Sequence, residues 1–284
     1  MITRHRHKIF SRSLSAVFLG AALAVTADAQ VVPTSINDVQ QAPVVSDANT
    51  RPIIPAAVTA KSVGLPSIAD LVESVSPAVV NVIARQSDGQ TTSEGQGSGF
   101  IISPSGEVVT NFHVIEGATQ ISIAFGDGTE YPVSVMGMDE ETDLAVLQIQ
   151  ARRSFPYVQW HNGESVRIGE WVVAIGNPFG IGQSTSLGVV SAIGRERVDS
   201  GAFVDYIQTD ATINRGNSGG PLFDLNGNVL GVNSAIYSPT GASVGIAFVI
   251  PHYTAAEVIN TLRRDGSVER GFLGVGLRLS LMHI

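Results

Sequence analysis

The sequence predicts an all-β fold in which two β-barrels or β-sandwiches pack together and a helix follows near the C-terminus. Short apolar runs rich in Val and Ile recur between residues 78 and 250, and a gap near 151–170 divides them into two groups. Turn signals such as "SPSGE", "GDGTE" and "DLNGN" separate several of the runs. Helical periodicity is scarce before residue 252.

Each group holds six runs of strand length. The first group comprises 78–84, 99–103, 107–111, 120–125, 131–138 and 144–149. The second group comprises 171–176, 186–194, 204–210, 221–224, 228–233 and 244–250. The expected barrels therefore cover about 67–155 and 160–266.

Two segments have apolar residues at helical spacing. The first is the short segment 67–75, "SIADLVESV". The second is 252–266, which ends at Gly266 and is expected to pack across the second barrel. Its apolar stripe consists of Ala255, Val258, Ile259 and Leu262.

The first 29 residues have the composition of a cleavable signal peptide. Four basic residues precede the apolar stretch 16–25, which is too short to span a bilayer comfortably, and "ADA" at 27–29 offers a small-x-small cleavage site. We therefore expect cleavage after Ala29, with an uncleaved anchor as the alternative. The mature protein is expected in the periplasm, without a stable membrane anchor.

Charge and composition exclude some classes of protein. The net charge of −8 becomes −11 when 1–29 is removed, because that segment carries four basic residues and one acidic residue. An acidic chain does not have the basic face of a nucleic-acid binder. The chain has no cysteine, so it has no disulfide and depends on its core. Residues 30–66, rich in Pro, Ala, Val, Thr and Ser, predict a flexible N-terminal arm.

A serine among glycines, in "NRGNSGGPLFD" (214–224), is the first candidate for chemistry. Ser218 is either an ordinary turn residue or a nucleophile beside backbone N–H groups. A serine hydroxyl reacts only when a base takes its proton, and that base is usually a histidine oriented by a carboxylate. The N–H groups of Gly216 and Ser218 can then point at a developing oxyanion. Gly219 and Gly220 are expected to leave room for substrate.

Candidate partners for Ser218 lie in the first strand group. His113 is at a strand end in "TNFHVI", where a short helical turn begins, and Asp143 precedes the apolar strand of "TDLAVL". The order His113, Asp143, Ser218 predicts a cleft between the two barrels. Taken alone, an aspartate in this context is more often a strand-entry or capping residue, and only its place between His113 and Ser218 favours a role in the site.

Three separated motifs, "TNFHVI", "TDLAVL" and "GNSGGPL", together with "AIGNPFG", resemble the HtrA/Deg family of chymotrypsin-fold serine proteases over about 67–275. The resemblance implies two six-stranded antiparallel barrels. It implies a triad of His113 as base, Asp143 as its orienting carboxylate and Ser218 as nucleophile. It also implies an oxyanion hole from the backbone of Gly216, Asn217 and Ser218, and no cofactor.

The resemblance further implies cleavage of unfolded or misfolded proteins in protein quality control, and a homotrimer formed through the N-terminal arm. Ile213 and Ile236 would line the specificity pocket, and Thr212 stands where a trypsin-like enzyme has an acidic residue. We therefore expect Val or Ala before the scissile bond. Residues 267–284 look like the truncated start of a PDZ domain, the domain that usually follows the protease in this family.

Three alternatives remain from the sequence. "HVIE" (113–116) is not the two-histidine helical pattern of a zinc site, so no metal is expected. "GNSGG" also fits the nucleophile elbow of α/β-hydrolases, but that fold needs the order Ser, acid, His and alternating strands and helices. The third alternative is a chaperone-like holdase or scaffold with little or no proteolysis.

Overall fold

The computed structural model describes residues 67–87, 92–163, 165–177, 182–195, 204–214, 216–238 and 243–271. The predictions for 1–29 and 30–66, and for all of 267–284 beyond residue 271, lie outside these ranges. Among the residues described, none of the helices has the length and apolar character that a membrane crossing needs.

The first half of the described chain forms a closed antiparallel barrel in the order β1-β2-β3-β6-β5-β4. Its strands are β1 (Val79–Ser87), β2 (Thr92–Ile101), β3 (Glu107–Thr110), β4 (Gln120–Ala124), β5 (Glu130–Asp139) and β6 (Leu144–Ile149). Helix α1 (Ile68–Val75) and a 3₁₀ turn (Ser76–Ala78) precede β1, and α2 (Phe112–Ile115) follows β3.

The second half forms a second closed barrel in the order β10-β11-β12-β9-β8-β7. Its strands are β7 (Trp171–Gly176), β8 (Ser184–Arg195), β9 (Tyr206–Thr209), β10 (Pro221–Phe223), β11 (Val229–Ile236) and β12 (Ala247–Pro251). The two barrels confirm the predicted fold class. They also exclude the α/β-hydrolase alternative, which requires strands alternating with helices.

Several strands are buried on both faces, which explains why their sequences are continuous apolar runs. Val172 and Ala174 of β7 point into the second barrel, whereas Val173 and Ile175 belong to a cluster in the seam between the barrels. In β6 of the first barrel, Leu147 lies inside and Val146 lies in the seam. A strand buried on one face only would alternate between apolar and polar residues.

Helix α3 (His252–Asp265) buries the predicted stripe and ends at Gly266, whose φ is 79° and whose N–H donates to the Leu262 carbonyl at 3.0 Å. The helix contacts β5 and β6 of the first barrel as well as β11 and β12 of the second. The prediction had named only the second barrel. Gly137 of β5 permits the extra contact, because a Cβ there would lie 2.7 Å from the Gly266 carbonyl oxygen.

An ion pair joins α3 to the first barrel and makes a stability prediction possible. Glu107 is 7% exposed, and Arg263 donates to its two oxygens at 2.8 and 2.9 Å. Arg263→Met would leave this carboxylate buried without its partner, so we expect the free energy of unfolding in urea to fall by about 2 kcal/mol. Arg264→Met is the control, since its partner Asp265 is exposed, and should cost less than about 0.5 kcal/mol. Equal losses would contradict the prediction.

Two histidines pack edge to face on the second barrel, with ring centroids 5.1 Å apart. His161 Nδ1 lies 3.0 Å from Asp224 Oδ2, and the rings of His252 and Tyr253 also pack edge to face, with centroids 5.4 Å apart. His252 Nδ1 is buried and finds no hydrogen-bond partner among the described residues. Burial, and then the proximity of His161, lower the pKa of His252 below its ordinary 6.5.

This lowered pKa predicts a loss of stability in acid. Below about pH 6.5 the unfolded chain binds a proton at His252 that the folded chain does not yet bind, so the contribution of His252 is complete above that pH and declines as the pH falls. We expect His252→Phe, which keeps the ring contacts, to lose less melting temperature than the wild type between pH 7.5 and pH 5.0. Parallel pH profiles of the two proteins would show that another group is responsible.

Candidate active site

Strand register brings His113 and Asp143 together in the first barrel. β3 and β6 are hydrogen-bonded neighbours, with Thr110 opposite Ala145, so α2 after β3 lies beside the turn before β6. His113 Nδ1 is 2.8 and 2.9 Å from the two Asp143 carboxylate oxygens. The His113 backbone N–H also donates to Oδ1 of Asp143 at 3.0 Å. The imidazole is 45% exposed, while the carboxylate is mostly covered.

The backbone of Asp143 has an unusual conformation. Its φ of 56° makes it the one non-glycine residue with positive φ among those described. Its carbonyl accepts hydrogen bonds from Asn111 Nδ2 at 2.7 Å and from the Phe112 N–H at 3.2 Å. These bonds hold the strained residue in place. Backbone strain of this kind is concentrated at functional sites.

Ser218 reaches the same site from the second barrel, in the turn that leads into β10. Its hydroxyl donates to the Ser234 carbonyl at a long 3.4 Å, and the Ser234 hydroxyl donates to Asp143 Oδ2 at 2.7 Å. Ser234 therefore joins the serine to the carboxylate across the seam. On the other side, a Cβ added to Gly97 would lie 2.6 Å from Val114, the neighbour of His113, and 3.2 Å from the Ser218 carbonyl oxygen.

The glycines around Ser218 are explained by packing. Gly216 and Gly219 have φ values of 96° and 82°, which side chains rarely adopt. A Cβ on Gly219 would lie 2.3 Å from the Ser98 carbonyl oxygen, and one on Gly220 would lie 2.6 Å from the Ile175 carbonyl oxygen. These contacts lie where a side chain would begin, and the expectation that Gly219 and Gly220 leave room for substrate stays a prediction.

The segment expected to form the oxyanion hole is held by its own backbone and by the first barrel. The N–H of Asn217 donates to the Asn214 carbonyl at 3.0 Å, so it is engaged within the loop. The carbonyl of Gly216 accepts the Ser98 hydroxyl at 2.6 Å. Asn217 itself is only 5% exposed.

The residues expected to line the specificity pocket lie in and beside the core of the second barrel. Ile213 is 2% exposed and belongs to the apolar cluster inside that barrel, and half-buried Ile236 packs against the same cluster. The Thr212 carbonyl accepts the hydroxyl of Ser186 at 2.9 Å. Contact between Ile213 or Ile236 and a substrate side chain stays a prediction.

Comparison with known proteins agrees with this geometry. The model of the trypsin-like peptidase domain matches residues 97–232. The solved structure of the HtrA-type protease AlgW with a tripeptide is 43% identical to this chain, with a TM-score of 0.70, and the match covers 75% of this chain and 69% of that one. The chain belongs to the HtrA family of serine proteases. The resemblance carried by "TNFHVI", "TDLAVL" and "GNSGGPL" is thereby confirmed.

Curated relatives are similar to this HtrA-family chain over about two thirds of its length. A probable periplasmic serine endoprotease, DegP-like, of Rhizobium meliloti (strain 1021) is 48% identical over 191 residues, which are 67% of this chain and 38% of that protein. The corresponding protein of Bartonella henselae is 52% identical over 182 residues, 64% and 36% respectively. The chain therefore spans little more than a third of the length of these relatives.

Sequence reasoning missed two residues that organise the site of this HtrA-family chain, Ser98 and Ser234. Ser234 stands two residues before Ile236, which was predicted to line the specificity pocket, and no role was predicted for its hydroxyl. Ser98 lies in "GQGSGF", where the flanking glycines indicate close backbone approach and do not mark a role for the hydroxyl. In the part of the chain that the structure describes, no three His, Asp or Glu side chains are grouped so that they could hold a metal ion.

Proposed function

We propose that this protein is a serine endopeptidase that cleaves unfolded or misfolded exported polypeptides. His113 is the general base, Asp143 orients it, and Ser218 is the nucleophile. The observation that carries the proposal is the carboxylate of Asp143, which bonds the His113 imidazole at 2.8 Å and is joined to Ser218 through Ser234. An activated nucleophile needs a base and a third group that orients that base, and the His113–Asp143 pair supplies both.

The proposed reaction forms and then hydrolyses an acyl-enzyme. Ser218 Oγ adds to the carbonyl carbon of the scissile peptide while His113 takes the hydroxyl proton at Nε2. The C–N bond breaks as His113 gives that proton to the leaving amine, and the acyl group stays on Ser218. A water molecule then adds to the acyl carbon with His113 again as base, which releases the carboxylic acid and restores Ser218.

The N–H groups of Gly216 and Ser218 stabilise the negative charge on the carbonyl oxygen. Asn217 was also expected to contribute, but its N–H already donates to Asn214 at 3.0 Å. We therefore assign only the N–H groups of Gly216 and Ser218 to the oxyanion. The loss of one such donor typically lowers kcat by a factor of about 10² to 10³.

Polypeptide substrates and a periplasmic location are supported by the relatives. The curated proteins are named periplasmic serine endoproteases, and AlgW is solved with a tripeptide and with a decapeptide. The predicted signal peptide in 1–29 agrees with such a location. Assembly into a homotrimer through 30–66 remains part of the proposal.

Cleavage specificity gives a prediction of its own. With Thr212 at the base of the pocket and apolar Ile213 and Ile236 as walls, we expect Val or Ala before the scissile bond. Mass spectrometry of the peptides released from casein would identify the preferred residue. A preference for Arg or Lys would overturn the assignment of the pocket.

Labelling of Ser218 tests the proposed chemistry directly. A fluorophosphonate probe reacts only with a serine that a neighbouring base has activated. We expect one label per chain, located on the peptide that contains Ser218, and no label after heat denaturation. Digestion of casein by the same preparation is expected alongside it. Absence of both labelling and digestion would refute the proposed function.

A further inference from the structure

Ser98 is a buried polar residue of β2 whose side chain is unused in the chemistry above. It is 0% exposed, and its hydroxyl bonds two segments of the other barrel. The hydroxyl donates to the Gly216 carbonyl at 2.6 Å and accepts the Asn177 N–H at 2.8 Å. Asn177 directly follows β7. One hydroxyl from the first barrel thus holds two backbone groups of the second.

The main chain of Ser98 contacts the same turn. Its N–H donates to the Ser218 carbonyl at 2.8 Å, and its carbonyl accepts the hydroxyl of Thr110 at 2.8 Å. Ser98 therefore bonds the carbonyls of Gly216 and Ser218. These are the two residues whose N–H groups are assigned to the oxyanion.

Because a peptide unit is planar, the bond to Ser98 fixes the orientation of the unit that links Gly216 to Asn217, which lies between the two assigned N–H groups. Because the C=O and N–H of one peptide point in opposite directions, fixing the Gly216 carbonyl on Ser98 directs the Asn217 N–H away from it. The Asn217 N–H indeed donates to Asn214 at 3.0 Å. Gly216, with φ of 96°, has no side chain to restrict rotation, so the hydrogen bond supplies the restraint.

The junction is closely packed. A Cβ on Gly176 would lie 2.9 Å from the Ser98 hydroxyl and 2.4 Å from Asn217 Oδ1. A Cβ on Gly220 would lie 3.1 Å from Ser98 Cβ. Removal of the hydroxyl oxygen from such a site leaves too little space for a water molecule to take over its bonds.

We propose that Ser98 is a positioning residue for peptide hydrolysis. Its hydroxyl holds the oxyanion-binding backbone of Gly216–Ser218 and joins it to the segment after β7. The inference rests on the proposed function, because it assigns a role in stabilising the oxyanion. Ser98 touches neither substrate nor the reacting atoms. It acts through the backbone that does.

Ser98→Ala is the test, with Ser122→Ala as the matched control. Ser122 is also a buried serine of the first barrel, 4% exposed, but its hydroxyl bonds Glu130 on the neighbouring strand. We expect Ser98→Ala to lower kcat for a fluorogenic peptide with Val before the scissile bond by about 10- to 100-fold, with KM within about twofold. Ser122→Ala should lose a similar amount of melting temperature with kcat unchanged.

A transition-state analogue separates positioning from general loss of structure. A peptide boronic acid ending in Val forms a tetrahedral adduct with Ser218 and places an oxygen in the oxyanion site. Its affinity should weaken in Ser98→Ala by the same factor as kcat, while the affinity of the matching peptide amide stays the same. Ser98→Cys, which keeps most of the volume with a weaker donor, should lie between wild type and Ser98→Ala.

The outcomes distinguish the two proposals. If wild type cleaves the peptide and Ser98→Ala behaves like Ser122→Ala in kcat and boronate affinity, Ser98 is only structural and the inference fails alone. If wild type neither cleaves nor labels at Ser218, the proposed function itself fails. Should Ser98→Ala not fold, Ser98→Cys decides: wild-type kcat and boronate affinity in that variant would overturn the inference.

Discussion

Replacement of Ser218 by Ala is expected to abolish casein digestion while leaving the fold intact. Without the hydroxyl no acyl-enzyme can form, and loss of a catalytic serine lowers kcat by a factor of about 10⁶ in well-studied serine proteases. The fold should survive because the Ser218 hydroxyl makes one long bond, 3.4 Å to the Ser234 carbonyl. Fluorescent casein measures the activity, and calorimetry should show a melting temperature within about 2 °C of wild type.

The same variant decides between protease and holdase. Ser74→Ala, an exposed serine of α1, is the matched control and should digest casein at the wild-type rate. If wild type and Ser218→Ala both leave casein intact and both suppress aggregation of a denatured client protein, the protein is a holdase. Full digestion by Ser218→Ala would show that the nucleophile has been assigned to the wrong residue.

Asp143→Asn is expected to lower kcat/KM by about 10⁴-fold near neutral pH, with little loss of stability. The carboxylate faces three donors: the His113 N–H at 3.0 Å, the His113 ring at 2.8 and 2.9 Å from its two oxygens, and the Ser234 hydroxyl at 2.7 Å. An amide has one oxygen, so its NH₂ group must face one of these donors. The His113 imidazole is then expected to take the wrong tautomer or to turn away from Ser218.

The backbone should tolerate this change. Asn adopts positive φ more readily than most residues, so the φ of 56° at position 143 adds little strain. Glu141→Gln, an exposed carboxylate-to-amide change in the same turn, is the control and should keep kcat/KM within about twofold. Activity of Asp143→Asn near the wild-type value would mean that Asp143 only ends the turn, as its sequence context alone suggested.

The strand pattern could be predicted from sequence because the barrels bury most strands deeply. Runs such as 144–149 and 171–176 coincide with β6 and β7, since residues facing the barrel interior and residues facing the seam are both apolar. Turn glycines marked the ends of several strands. Helix α3 was found from its stripe, but its contact with the first barrel depends on Gly137, which has no local signal.

The candidate site was predictable only where residues stand in a motif. His113, Asp143 and Ser218 were found together because their motifs occur in one order. The hydroxyls of Ser98 and Ser234 bond partners 118 and 91 positions away in the sequence, and no residue near either serine indicates that these segments meet in the fold. Burial gives such hydroxyls their importance, because a buried carbonyl or carboxylate without a partner is costly. How deeply these two hydroxyls are buried depends on how the two barrels pack against each other, which the sequence does not show.

The seam divides the proposed reacting groups between the two barrels. One barrel carries the proposed base and its carboxylate, and the other carries the proposed nucleophile, so neither barrel holds the complete set of proposed reacting groups. A displacement of about 1 Å in such a set can change a rate by about 10²-fold. A shift of that size between the barrels would therefore be enough to slow the proposed reaction while every strand stays paired.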